Sequence, residues 1–227
     1  MKKIQISKFI FLAGITCLFF TPIKSQEKQE DKIVASTRVL QDFGKMKENI
    51  PAELLKITQG IIIVPKLING GFVIAAKRGK GLAMVKLENG TWSNPVFVTI
   101  TGGSVGLQAG VQSVELVLIF KNRETLEKIG NGSFTLGGDI SATAGPVGRN
   151  STASTDYKLE AEVYSYSRSK GLFAGISLSG AAIDIDGKAN EAFYGKDEDA
   201  KTLFSNSTEN KSASVLQMKS ELENLYK

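Results

Sequence analysis

The chain has 227 residues, with 28 lysines and arginines against 23 aspartates and glutamates, no histidine and one cysteine. Without histidine, the serine and cysteine nucleophile mechanisms lack their usual base. A single cysteine makes neither an internal disulfide nor, without histidine, a structural zinc site. The length is enough for one domain with its own core.

Lys2, Lys3 and Lys8 precede an apolar run over residues 9–20, followed by Thr21-Pro22 and Ser25-Gln26. This reads as a secretory signal peptide over residues 1–25, since a transmembrane helix needs about 20 apolar residues. Cys17 lies inside the run behind Gly-Ile-Thr, so lipidation is not expected. Removal of this segment takes four lysines and no acid, leaving 24 basic against 23 acidic residues, a net charge of +1. Such a chain carries no charge argument for nucleic acid as a partner. The expected location is exported, either periplasmic or peripheral on a membrane. Residues 26–31 are polar and are expected as a disordered lead, with a single domain over 32–227.

From Ile33, the positions Thr37, Leu40, Phe43 and Met46 repeat at helical spacing. The helix should stop before Pro51, which suits the start of a second helix, PAELLKITQ, with Gly60 as its end. The period then changes. Residues 61–64 form a short buried strand stopped by Pro65. Residues 71–76 and 82–87 are strands flanking a turn, KRGKG. Asn89-Gly90 is a hairpin signal that sets a strand from about Thr91 beside 82–87. Residues 96–101 and 105–120 follow as strands. The second alternates at first and ends in a continuous apolar run, as in a strand covered on both faces. Asn122 is the cap of a short helix. Residues 159–168 and 172–185 are strands joined by a turn at Lys170-Gly171, and the apolar parity changes near Gly180, which asks for a bulge there. Short helices close the chain over 199–204 and around Val215, Met218, Leu222 and Leu225.

The pattern is α+β: a strongly curved, barrel-like antiparallel sheet with helices at the N- and C-termini. The glycines concentrated in the strand-rich region serve sharp bends and close backbone approaches.

Seven segments carry a family likeness in order. They are IPAELLKITQGIIIVP (50–65), GFVIAAKRGKGLAMVK (71–86), GTWSNPVFV (90–98), TGGSVGLQAGVQSVELVLIF (101–120), LGGDISATAGPVGR (136–149), YSYSRSKGLFAGISLSG (164–180) and NEAFYG (190–195). On these the chain resembles the SYLF family, also called Ysc84 or DUF500, as a secreted bacterial member. The resemblance implies a non-enzymatic lipid-binding module without cofactor. Eukaryotic relatives bind phosphoinositide membranes, partly through an N-terminal amphipathic helix, and some bind actin filaments. For an exported chain the implied partner is anionic phospholipid or another lipid surface, and actin is not an expected one.

The residues offer three kinds of candidate site. Lys77, Arg78 and Lys80 crowd one glycine turn, with Arg149, Arg168 and Lys170 at two others. Gathered at one end of the sheet, the six cations would attract an anionic surface; spread apart, they are solvated turn residues. Ile33, Leu40 and Phe43, with Lys32, Arg38, Lys45 and Lys47 nearby, give the first helix the composition of an interfacial helix, or of one packed on the sheet. Glu115 and Asp139 are the third. A buried carboxylate must be paired or protonated, so each is either a structural ion-pair partner or half of an acid/base pair for sugar hydrolysis. Tyr164 and Tyr166 suit an interfacial anchor. Asp184 and Asp186 lack the remaining ligands of a calcium loop and read as a strand-end turn, and no metal site is expected. The rival readings are a small outer-membrane β-barrel and a carboxylate enzyme using Glu115 and Asp139.

Overall fold

A computed structural model of the chain describes residues 21–46, 50–132, 134–140, 142–145, 159–173, 176–195, 199–205 and 212–225. Most of the expected signal peptide lies outside these residues. The first helix, α1 (Thr21–Lys45), starts earlier than its apolar spacing indicates and includes residues 26–31, expected as a disordered lead. α2 (Ala52–Ile57) begins right after Pro51, whose missing N–H costs nothing at that position.

The strand region departs most from expectation. Residues expected to form three strands and a turn make one long strand, β1 (Gly60–Val85), and the next two expected strands are one, β2 (Val96–Phe120). The two pair antiparallel from Gly60 opposite Phe120 to Ala83 opposite Val96. Asn89-Gly90 does form the tight turn between them: Gly90 has φ of +81°, and Leu87 N–H donates to Thr91 O at 2.7 Å. Two register shifts bend this hairpin, one between Val64 and Leu67 and one between Gly71 and Val73; bulges increase the local twist and bend the strand.

The bending brings β1 back across itself, and KRGKG is the crossing point rather than a turn. A Cβ on Gly81 would lie 2.2 Å from the carbonyl oxygen of Ile63, and one on Gly79 would lie 2.7 Å from Val64 and 2.9 Å from Leu67. Glycine alone leaves room for this approach. Lys86 N–H donates to Gln59 O at 2.8 Å where the two ends of β1 meet.

The remaining elements are α3 (Arg123–Glu127), a 3-10 turn at Lys128–Asn131, β3 (Phe134–Leu136), β4 (Ala142–Ala144), β5 (Val163–Ser169), β6 (Leu172–Phe173), β7 (Ala181–Ile185), α4 (Gly187–Tyr194), α5 (Ala200–Ser205) and α6 (Ala213–Leu225). Asn122 caps α3, accepting from Glu124 N–H at 2.9 Å. The strand order is β3-β7-β2-β5-β4, with β1 also on β2 and β6 also on β5. The sheet is nearly closed and barrel-shaped, with helices at both termini. It is mixed rather than purely antiparallel, since β4 runs parallel to β5. The expected strand 172–185 is broken: Gly180, with φ of +73°, makes the turn into β7 instead of a bulge within one strand.

Alternation along the strands makes two cores. Ile62, Val64, Leu116, Leu118 and Phe120 face one, with Val98, Ile183 and Phe204, inside the curl of the sheet. Ile61, Ile63, Val117 and Ile119 face the other, between the outside of the sheet and α1, α2, α4 and α6. The continuous apolar run 114–120 is thus covered on both faces except at Glu115. At these residues no face is left to meet lipid, as the reading as an outer-membrane barrel would need.

Candidate functional site

The sheet and α1 bring some of the expected residues together and divert others. Ile33, Leu40 and Phe43 are buried in the outer core. α1 is therefore docked through its apolar face, which rules out those three as membrane contacts in this arrangement. Thr37 Oγ1 reaches Met218 Sδ at 3.3 Å, and Gln41 Nε2 donates to Glu221 Oε1 at 2.7 Å, so α6 seals α1 against the sheet. Tyr164 and Tyr166, expected as interfacial anchors, are buried in the same core. Burial pushes the Tyr166 hydroxyl well above the ordinary phenol range.

The five described cations do not form one cluster. Lys77 points into the sheet interior, where its Nζ donates to Ser177 O at 2.5 Å, and burial lowers its pKa. Arg149 lies outside the described residues. Arg168 is held between two acids: Nε donates to Glu115 Oε2 at 2.5 Å and Nη2 to Asp42 Oδ2 at 2.7 Å. Its guanidinium also stands 5.6 Å from the Phe43 ring centroid. Lys170 is exposed at a left-handed turn, φ +51°. Glu115 is therefore a structural ion-pair partner, held by Arg168. Asp139 is exposed and accepts the Thr135 N–H at 2.7 Å, ordering its own turn. The two carboxylates share no partner among the described residues.

Arg78 and Lys80 alternate with the crossing glycines, so they face outward while Gly79 and Gly81 face the other half of β1. They line a groove of about 420 Å³ with Lys32 and Ala35 of α1 and with Pro65, Lys66, Ile68 and Gly79 of β1. Four cations thus surround an apolar floor. Lys80 Nζ is paired to Asp186 Oδ2 at 2.6 Å. Burial pushes the Asp186 carboxyl up. The bonded Lys80 ammonium, the Ala189 N–H and Lys32 together outweigh this and hold it below the usual carboxylate value. Asp186 also caps α4, so the expected strand-end turn is here a helix start. Lys32 donates to Gln29 Oε1 at 2.8 Å and stands 5.0 Å from the Phe97 ring centroid. Burial lowers its pKa to about 8, against the attraction of Asp186 and with the repulsion of Lys80 and Lys28. Lys66 and Arg78 are exposed, and neither has a carboxylate partner among the described residues. Among the described residues, no group of three or more Asp, Glu, Cys or His side chains is placed to hold a metal ion, and no helix is long and apolar enough to cross a membrane.

Sequence reasoning missed Lys66 and Asp186 as members of this site. Lys66 enters it because of the bulge after Val64, and Asp186 because α4 starts beside Lys80. Neither event leaves a local signal, although Asp186 followed by GKANEAFY is a legible helix start.

An α+β domain with a nearly closed sheet, jacketed by helices and carrying a basic groove, defines the class. A family model described as "Ysc84: Las17-binding protein actin regulator" matches residues 101–225. The chain belongs to this family. It is 35% identical over 187 residues to LAS seventeen-binding protein 3 of Saccharomyces cerevisiae, covering 81% of this chain and 40% of that protein. It is 33% identical over 183 residues to SH3 domain-containing YSC84-like protein 1 of Bos taurus, covering 78% of this chain and 53% of that protein. The chain therefore spans about half the length, or less, of these relatives.

Proposed function

We propose that the chain is a non-enzymatic module that binds anionic lipid surfaces through the groove between α1 and the crossing of β1. The observation that carries this is the placement of Lys32, Lys66, Arg78 and Lys80 around Ala35, Pro65 and Ile68. Each basic side chain near an anionic membrane contributes about 1 kcal/mol. With Lys80 offset by Asp186, three net charges give about 3 kcal/mol, a preference of roughly a hundredfold over neutral lipid at low salt. The basic, apolar N-terminus supports an exported protein acting peripherally on a membrane. Co-sedimentation with phosphatidylcholine vesicles, with and without phosphatidylglycerol, tests the reading. Binding should require the anionic lipid, fall with added salt, and drop in a Lys66→Ala/Arg78→Ala variant of unchanged melting temperature. Equal binding to both vesicle types rules it out.

The family description supplies a second reading, a protein partner of the Las17 or actin kind. Sedimentation of the same purified chain with actin filaments, or capture by Las17, decides it independently of the vesicle result.

A further inference from the structure

The groove has a feature that adsorption to a charged surface does not need. Its floor continues as exposed apolar surface. Ile68 is 42% exposed and Val111 81% exposed. Ile68 pairs with Ser113 and Gly70 with Val111, so these four positions lie on one face of the sheet, the face that carries α1. The Val111 side chain lies across Gly70: its Cγ2 is 3.1 Å from where a Cβ on Gly70 would sit. Pro65, Ile68 and Val111 thus form an apolar track leading away from the cations. Exposed apolar residues scattered singly need no explanation, but a row continuous with a charged groove marks a binding surface.

We propose that the groove seats one anionic amphiphile, its head group between Lys66 and Arg78 and its alkyl chain along Pro65, Ile68 and Val111. This rests on the lipid-surface reading above and adds that single molecules are recognised, not only a bilayer's charge. The polarity of the site decides the orientation. Lys80 is held by Asp186, and Lys32 is partly buried against Gln29 and the Phe97 ring, whereas Arg78 and Lys66 are exposed and have no carboxylate partner among the described residues. Arginine's planar fork suits a phosphate or carboxylate head. A volume of about 420 Å³ is in the range of small-molecule sites, roughly 300–1,000 Å³. A bare anion would leave the apolar track exposed, and a neutral chain would leave the two cations uncompensated.

The test is titration calorimetry with dodecyl phosphate below its micelle concentration, beside inorganic phosphate, dodecyl maltoside and phosphatidylglycerol vesicles. The expected result is saturable binding of one dodecyl phosphate per chain, with at least roughly tenfold weaker binding of inorganic phosphate and of dodecyl maltoside. Val111→Asp, at a side chain open to solvent, should weaken dodecyl phosphate binding about tenfold without changing the melting temperature, and Lys66→Ala/Arg78→Ala should do the same. Binding to vesicles but not to dodecyl phosphate overturns the proposal and leaves the surface reading standing. Equal affinity for inorganic phosphate or for dodecyl maltoside, or an unaffected Val111→Asp variant, also overturns it. Failure of both vesicles and amphiphile removes the two readings together.

Discussion

Arg168 and Glu115 sit directly opposite each other on β5 and β2, and the guanidinium that binds Glu115 also binds Asp42 of α1. One side chain therefore ties the helix layer to the sheet, on the same face and above the same Phe43 that anchors α1. Arg168→Met keeps a long stem over Phe43 but leaves two carboxylates facing each other. Breaking a fully buried pair costs about 3–5 kcal/mol. These carboxylates are about a third exposed, so screening reduces the expected loss to about 2 kcal/mol. Urea unfolding should show it, and adding Glu115→Gln to Arg168→Met should recover part of it. No shift of midpoint would mean that Arg168 is dispensable to the docking of α1.

The crossing in β1 has a sharper requirement. Gly81→Ala places a methyl group against the Ile63 carbonyl, a backbone atom that cannot rotate away. The expected cost is about 3 kcal/mol, the upper end for an overpacked site, read as a lowered thermal midpoint. At Gly90 the same substitution meets nothing within 4 Å, though its φ of +81° still strains it. Gly81→Ala should therefore be the worse of the two, and the reverse order would contradict the crossing.

Gly180 tests conformation without crowding. Its φ is +73° and no atom lies within 4 Å of an added Cβ. Gly180→Val should destabilise by about 1–3 kcal/mol through backbone strain alone, and Gly180→Asn, which tolerates this region better, should cost less. Chemical denaturation of the pair checks the ranking.

Lys32 gives the groove a pH dependence of predictable sign. Its folded pKa is about 8, below the unfolded value of about 10.4. Between these values the unfolded chain holds a proton that the folded chain has lost, so stability rises with pH across that window and is flat below about 8. The cost is thus fully present at neutral pH. Lys32→Met should raise stability at pH 7 by about 1 kcal/mol, after allowance for solvent screening, and flatten its own share of the rise above pH 8. Lys77 and Lys219 are also lowered by burial and stay in both proteins, so the difference between wild type and variant isolates Lys32. An unchanged pH profile would show that Lys32 is solvated.

Among the described residues, Asp186 is the one acid paired with a groove cation. Asp186→Asn keeps an oxygen to accept the Ala189 N–H as a helix cap and releases Lys80. Binding to anionic vesicles should tighten about fivefold, one charge's worth. Asp186→Ala should gain the same binding but lose about 1 kcal/mol of stability with the cap. A weaker vesicle affinity in Asp186→Asn would mean that the Lys80–Asp186 pair shapes the groove instead of neutralising it.

Much of this molecule is legible in its residues because the cause is local. The apolar periods gave the docked part of α1, α6 and the double-faced run 114–120; Pro51, Asn89-Gly90 and Asn122 marked the start of α2, the turn between β1 and β2 and the start of α3; and the change in parity around Gly180 marked a break in the chain, though as a turn and not as the expected bulge. The family likeness rests on the order of seven segments, which the chain shows before it folds.

What the tertiary structure decided is where those pieces meet. KRGKG has the composition of a turn, yet its glycines serve a contact with residues 63–67, twelve or more positions earlier, and no local window contains that partner. The same crossing sends Lys77 inward and Arg78 and Lys80 outward, so three neighbouring cations of like chemistry take different roles. Arg168 was legible as a charge but not as a clamp, because Glu115 and Asp42 reach it only through strand pairing and helix docking. Local sequence sets propensity and period; long-range register, which depends on bulges and on close backbone approach, sets which charges are paired, which are buried, and which remain to meet a ligand.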